Sequence, residues 1–232
     1  GIQAGDEVIT TANTFCATVN AIIHSGATPV LVDMDRATCN LDVSQIEEAV
    51  TSRTKAICPV HYAGLPCEMD EIEKLAKKYN LLIIEDCAHA VETLYKGKKA
   101  GTFGDFGCFS FYVTKNVVTG EGGMIITKQE QYADRLKILA LHGMTKDAWK
   151  RFGDEGSHHY QVVASGFKYN MTDMQAALGI HQLARVNKNW LKREAIWKTY
   201  SNRLKPLPLG LPAAARPSDR HAYHLFPIRV DA

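Results

Sequence analysis

Two short apolar runs in this chain end in residues able to do chemistry. Leu81–Ile84 runs straight into Glu85-Asp86-Cys87-Ala88-His89, and Cys108–Phe111 runs into Tyr112-Val113-Thr114-Lys115-Asn116, followed by Gly120-Glu121-Gly122-Gly123. If both runs are strands of an open α/β sheet, these residues sit beyond their carboxyl ends, where such sheets bind ligands. A carboxylate at one strand end and a lysine just past another are two parts of a pyridoxal phosphate site. The amine bonds the aldehyde carbon, and the acid keeps the pyridine nitrogen protonated so that the ring can accept a carbanion's electrons. Each piece alone has a plainer reading. A loop lysine is a solvated charge, an Asp at a strand end caps a turn, and Gly-Glu-Gly-Gly is a tight turn. No G-x-G-x-x-G follows the first strand and no G-x-x-x-x-G-K-[ST] occurs, so nicotinamide and nucleoside triphosphate readings lose their support.

The elements that must position these residues can be read from hydrophobic patterning. Glu7–Thr10, Pro29–Val32, Ala56–Val60, Leu81–Ile84, Cys108–Phe111 and Met124–Thr127 are short enough for strands, and their near-continuous apolar character suits a sheet covered on both faces. Between them, Met69, Ile72, Leu75, Ala76 and Tyr79 recur at helical spacing, and Leu41–Val50 predicts a helix after Asn40. The alternation predicts an open α/β layered domain with a mostly parallel sheet. Later, Tyr132, Leu136, Leu139 and Ala140 mark a helix ending near His142-Gly143, Trp149–Gly166 reads as a polar loop, and Thr172–Val186 and Asn187–Leu204 read as two helices. Five of the eight prolines follow Lys205, marking a linker, and His221–Val230 reads as the start of a new strand. The expected domains are therefore 1–204 and 205–232.

Composition narrows the class. The 232 residues are 46% hydrophobic and 22% charged, with 27 basic against 25 acidic side chains, so a packed core is expected and no polyanion-binding balance is visible. No run approaches the roughly 18–20 apolar residues that span a bilayer. Six cysteines scatter without a CxxC pair, which reads as small buried residues in a reducing compartment. His158-His159 has no Cys or carboxylate at metal spacing, so no metal site is expected.

Taken in order, the motifs resemble the sugar aminotransferases of the DegT/DnrJ/EryC1/StrS family. The matching segments are Gly5-Asp6-Glu7-Val8-Ile9, Thr14-Phe15-Cys16-Ala17-Thr18, Pro59-Val60-His61-Tyr62-Ala63-Gly64, Ile84 to Ala90, Phe109-Ser110-Phe111 with Lys115-Asn116, Gly120-Glu121-Gly122-Gly123, and Gly166 to Asp173. Such enzymes use pyridoxal 5'-phosphate on the aspartate aminotransferase-like (type I) fold, so the resemblance implies its large domain plus the beginning of a small C-terminal one. It implies Lys115 as Schiff-base lysine and proton shuttle, Asp86 on the pyridinium nitrogen, and His89 beside the phenolic oxygen. Phe15 would cover the ring, Ser110 would bind the phosphate, and Asn170 would reach the cofactor phosphate of a second subunit in a homodimer. Plainer readings stand beside these: a core phenylalanine at Phe15, a locally bonded strand serine at Ser110, and a helix N-cap at Asn170. His61, Tyr62, His142 and His224 carry a weaker signal, and Lys146, Lys150 and Arg151 read as a solvated loop.

His142-Gly143, Asp147-Ala148-Trp149 and His221 to Phe226 are similar to the branch that makes UDP-4-amino-4-deoxy-L-arabinose. The resemblance thus implies amino transfer from glutamate to a UDP- or dTDP-linked 4-keto sugar, for cell-surface polysaccharide or lipid A modification, in the cytoplasm, without nucleic acid or membrane. Relatives carry a segment before Gly1, including a Gly-Thr helix start that grips the phosphate, and continue past Ala232, so the chain reads as truncated at both ends. Two other readings remain: a dehydratase of the same family, whose members replace the lysine by histidine, and a fragment acting only as a dimerisation scaffold.

Overall fold

A computed structural model describes residues 1–145 and 160–230. Its centre is a six-stranded sheet built from β1 (Glu7–Thr11), β2 (Thr28–Val32), β3 (Thr54–Cys58), β4 (Leu82–Asp86), β7 (Phe106–Ser110) and β8 (Gly123–Ile126), in the order β2-β1-β3-β4-β7-β8. All neighbours pair in parallel except the antiparallel β7–β8 edge. A small hairpin, β5 (Leu94–Tyr95) with β6 (Lys98–Lys99), stands apart. The chain leaves β1 outward to β2 and then crosses back to β3 on the other side. The strand order therefore reverses at β1, which opens a crevice beyond the carboxyl ends of β1 and β3.

Strand side chains alternate between the two faces, and the core follows that period of two. Ile9, Ile57 and Ile83 point to one face, where Met69, Ile72 and Ala76 of helix α3 (Met69–Tyr79) cover them. Val8, Ala56 and Cys58 point to the other, under Ile22 of helix α1 (Cys16–His24). Helix α3 begins with Asp70 and Glu71 and ends with Lys77 and Lys78, charges that oppose its dipole at both ends, and Asn80 stops it in the left-handed region.

The predicted helix at Leu41–Val50 is shorter than expected. Leu41 bridges Met34, a 3₁₀ turn occupies Val43–Gln45, and only Ile46–Ala49 (α2) is α-helical. Asp42, rather than Asn40, caps the turn by accepting from the Ser44 amide. Helix α4 spans Glu130–Ala140. The expected pair of late helices is present as α5 (Asp173–Ala184) and α6 (Val186–Leu204). Thr172 caps α5 in a capping box with Gln175, so Asn170 is not its N-cap.

The expected strand at His221–Val230 does not form. The Ala222 and His224 amides donate to the Gly64 and Ala63 carbonyls, and Tyr223 turns into the left-handed region (φ 53°), so no ladder can propagate. This segment instead lies between the Tyr62–Gly64 turn and α6, where Trp197 packs tilted against His221 and Tyr223 and edge-on against Phe226. The loop expected over Trp149–Gly166 falls partly outside the described residues. Lys146, Asp147-Ala148-Trp149, Lys150, Arg151 and His158-His159 lie there entirely.

Candidate active site

A cavity of about 860 Å³ lies beyond the carboxyl ends of β1, β3, β4 and β7. Each strand end contributes to its wall: Thr14, Phe15 and Thr18 after β1, Tyr62 after β3, Asp86 and His89 from β4, and Ser110 and Lys115 from β7. An apolar hollow of about 360 Å³ adjoins it through Ala17, Thr18, Asp86, Ala88 and Ser110.

Glu85 and Asp86 are neighbours in sequence and opposites in role. Glu85 shares the face of Ile83 and is wholly buried. Its carboxylate accepts from the amides of Gly101 (2.7 Å), Phe103 (2.8 Å) and Gly104 (2.8 Å), and meets His61 Nε2 at 3.1 Å. Burial alone would push this carboxyl up, but the His61 contact and these amides outweigh it and hold it below its ordinary value. His61 Nδ1 accepts from the Cys67 amide at 3.1 Å, so the proton of a neutral ring sits on Nε2 and points at Glu85. With Cys87 these residues form a group of metal-ligating types, yet both ring nitrogens of His61 are already engaged in protein hydrogen bonds. His61 therefore belongs to the structural core and does not line the cavity.

Asp86 takes the other face. Its Oδ2 accepts from Thr18 Oγ1 at 2.8 Å and its Oδ1 from the Ala88 amide at 3.0 Å. Thr18 spends its proton on Asp86, so Thr14, 2.7 Å away, is the donor in the Thr14–Thr18 contact. Both carboxylate oxygens are oriented and each keeps a lone pair for a further donor.

Lys115 sits in the loop that leaves β7, turned inward by its own amide bonding the Tyr112 carbonyl at 2.9 Å. The Phe111 amide bonds the Gly122 carbonyl, and the Thr119 amide bonds the Phe111 carbonyl, so the loop closes back on its strand. Burial lowers the Lys115 amine from its ordinary value, and Asp86 partly restores it. A half-buried amine facing a carboxylate across a cavity is a nucleophile at lower pH than a surface lysine.

His89 Nδ1 accepts from the Ala63 amide at 3.2 Å, which places the proton of the neutral ring on Nε2. Burial, then His224 and Lys115, lowers His89 to about 3, so it stays neutral at neutral pH. Phe15 is 75% exposed at the cavity mouth, which corrects the core-phenylalanine alternative. Ser110 lines both hollows. Asn170 lies away from this cavity, its side chain bonded to Lys168 and to the Met171 carbonyl. His142 also lies elsewhere. His224 does line the cavity, although its sequence signal was weak; Thr18 and Asn116 carried no signal beyond their motif context, and Glu92 carried none.

Fold and site together define a class: the type I fold of pyridoxal-phosphate-dependent transferases. The chain belongs to the DegT/DnrJ/EryC1/StrS aminotransferase family, whose model matches residues 1–232. It is 52% identical over 230 residues to the uncharacterized protein MJ1066 of Methanocaldococcus jannaschii, covering 99% of this chain and 60% of that protein. It is 48% identical over 231 residues to the spore coat polysaccharide biosynthesis protein SpsC of Bacillus subtilis, covering 100% of this chain and 59% of that one. Among solved structures, Spr1654 of Streptococcus pneumoniae, assigned as a sugar aminotransferase, superposes in its PMP form with a TM-score of 0.90 at 35% identity, covering 99% of this chain and 63% of that chain. The chain thus spans about three fifths of the length of these relatives. No helix among the described residues is long and apolar enough to cross a membrane.

Proposed function

We propose that this chain carries the cofactor site of a pyridoxal-phosphate-dependent aminotransferase acting on a nucleotide-linked 4-keto sugar, with glutamate as donor. One observation carries the reading: Asp86, His89, Ser110 and Lys115 line one cavity together with an exposed aromatic, Phe15. The donor set fits the group. It offers an oriented carboxylate for a protonated ring nitrogen, an imidazole N–H for a phenolic oxygen, an amine for an aldehyde carbon and a hydroxyl for a phosphate. When bound, pyridoxal phosphate supplies an electron sink for the carbanion formed at the amino donor's α-carbon.

The chain's own residues do the rest. Asp86 would hold positive charge on the ring nitrogen, and each 1.36 kcal/mol of barrier lowering that follows would be worth about tenfold in rate. Lys115 Nζ would hold the cofactor's aldehyde carbon and would carry the proton at the amino donor's α-carbon. His89 would donate from Nε2 to the phenolic oxygen, and Phe15 would cover the ring face. Asn170, outside its own chain's cavity, would exchange its local bonds to Lys168 and Met171 for a partner subunit's phosphate in a homodimer. The sugar substrate is supported by SpsC, a polysaccharide biosynthesis protein, and by the Spr1654 assignment. The likeness of His221 to Phe226 to the UDP-4-amino-4-deoxy-L-arabinose branch motivates the 4-keto acceptor. Residues 1–204 are read as the large domain and 205–232 as the linker into a smaller one.

Incubating the protein with pyridoxal phosphate, reducing with borohydride and mapping peptides by mass spectrometry tests the assignment. The adduct is expected on Lys115 and absent in Lys115→Ala; labelling spread evenly over surface lysines would overturn it. Adding glutamate and a panel of nucleotide 4-keto sugars, with product analysis, then tests the acceptor.

A further inference from the structure

The imidazoles of His89 and His224 stack in the cavity wall with centroids 4.3 Å apart and planes 30° from parallel. Their backbone-side partners are opposite in kind. His89 Nδ1 accepts from the Ala63 amide. His224 Nδ1 lies 2.9 Å from Asn116 Oδ1. Which end of the Asn116 amide faces His224 is decided by the far end: Asn116 Nδ2 donates to Glu92 Oε2 at 2.8 Å and to the Ala222 carbonyl at 3.2 Å. Flipping the amide would set its oxygen against a carboxylate and a carbonyl, leaving three acceptors without a proton between them. Glu92 is itself fixed, being 1% exposed and ion-paired with Arg193 of α6, whose Nε also donates to the Ala222 carbonyl at 3.2 Å. Asn116 Oδ1 can only accept, so His224 Nδ1 must carry its proton. Neither Nε2 atom has a hydrogen-bond partner among the described residues, and both rings line the cavity.

We propose that Glu92 and Asn116 lock His224 in its Nδ1–H form, making His224 Nε2 a standing hydrogen-bond acceptor for a substrate hydroxyl. The choice of a hydroxyl rests on the sugar-acceptor reading above; the lock itself does not. Burial, then Lys115 and Arg193, lowers His224 to about 4, which keeps the ring neutral at neutral pH. Asn116 and Glu92 are thus positioning residues that act through His224. His224 Nε2 offers a hydroxyl the acceptor its proton needs, while the N–H of His89 stays with the phenolic oxygen.

Long-range ¹H–¹⁵N correlation spectra of the histidine-labelled protein at pH 7, with His224 assigned by its loss in His224→Gln, read the lock directly. His224 is expected protonated on Nδ1 and His89 on Nε2, without cofactor or substrate. Asn116→Leu should release His224 toward the other tautomer. A wild-type His224 protonated on Nε2, or a tautomer unmoved in folded Asn116→Leu, overturns the lock. In the cofactor-loaded enzyme, Asn116→Leu should raise KM for the sugar acceptor about tenfold, with a smaller change in kcat. A loss confined to kcat overturns the hydroxyl contact. Failure of pyridoxal phosphate to label Lys115 would overturn the proposed activity and leave the tautomer result standing.

Discussion

Thr18 donates its hydroxyl hydrogen to Asp86 Oδ2 at 2.8 Å, tying the first turn of α1 to the carboxyl end of β4. The carboxylate is thereby aimed before any ligand arrives, and Thr14 backs Thr18 in turn. Replacing Thr18 by Val keeps the shape and removes the donor. The expected cost is about 1.5 kcal/mol, roughly a tenfold weaker hold on pyridoxal phosphate, since the partner is charged. An absorbance titration measures it, and equal affinity in the two proteins would mean that Asp86 needs no such support.

Lys115 predicts a pH dependence with a definite sign. Burial disfavours its ammonium form, so the reactive amine is present at lower pH than for a free lysine, whose pKa is about 10.4. The rate of adduct formation with pyridoxal phosphate should rise with pH and level off below that value. Asp86 favours the ammonium, so Asp86→Asn should move the midpoint lower still. A midpoint that rises in Asp86→Asn would contradict the proximity of the two charges.

His221 is 2% exposed, accepts from the Tyr223 amide at 2.7 Å, and is lowered by burial to about 3. The unfolded chain binds a proton at this residue near pH 6.5, whereas the folded chain does not until far lower. Its contribution to stability is therefore complete above pH 6.5 and is lost as pH falls toward about 3. Over that window it costs up to about 1.4 kcal/mol per pH unit. Urea melts at pH 7 and 5 should show a steeper loss in the native protein than in His221→Phe, which still packs against Trp197.

Gly64 stands at φ +93°, and a Cβ there would meet Ala222 Cβ at 2.7 Å and the His89 carbonyl at 2.9 Å. Gly64→Ala forces apart the two chain segments that bear His89 and His224. Strain and backbone displacement together predict a loss of about 2–4 kcal/mol. A thermal melt lowered by several degrees, with altered ring contacts in the histidine spectra, is the expected result; an unchanged melt would show that the junction yields freely.

The strands were legible because continuous apolar runs in a parallel sheet depend on composition more than on context. Each predicted run overlaps an observed strand, offset by two residues at most. Lys115 and Asp86 were legible because strand-end chemistry follows from topology. What escaped were contacts whose meaning lies in distant partners. Glu92 reads as a surface charge until Arg193, far along the chain, buries it. His61 and His224 look alike in sequence, and only the partners of their ring nitrogens separate a core histidine from a cavity one. The failed strand at His221–Val230 has the same origin, since a turn near residue 63 claims its amides.

Among the described residues, the wall containing His224 is the part of this cavity synthesised latest. The Ala63–His224 and Asn116–His224 contacts join positions separated by more than a hundred residues, so a growing chain on the ribosome can complete four strand ends and still present an open pocket. Contacts this remote in sequence form late. The His224 wall is therefore expected to close over the strand ends only after residue 225 has left the ribosome.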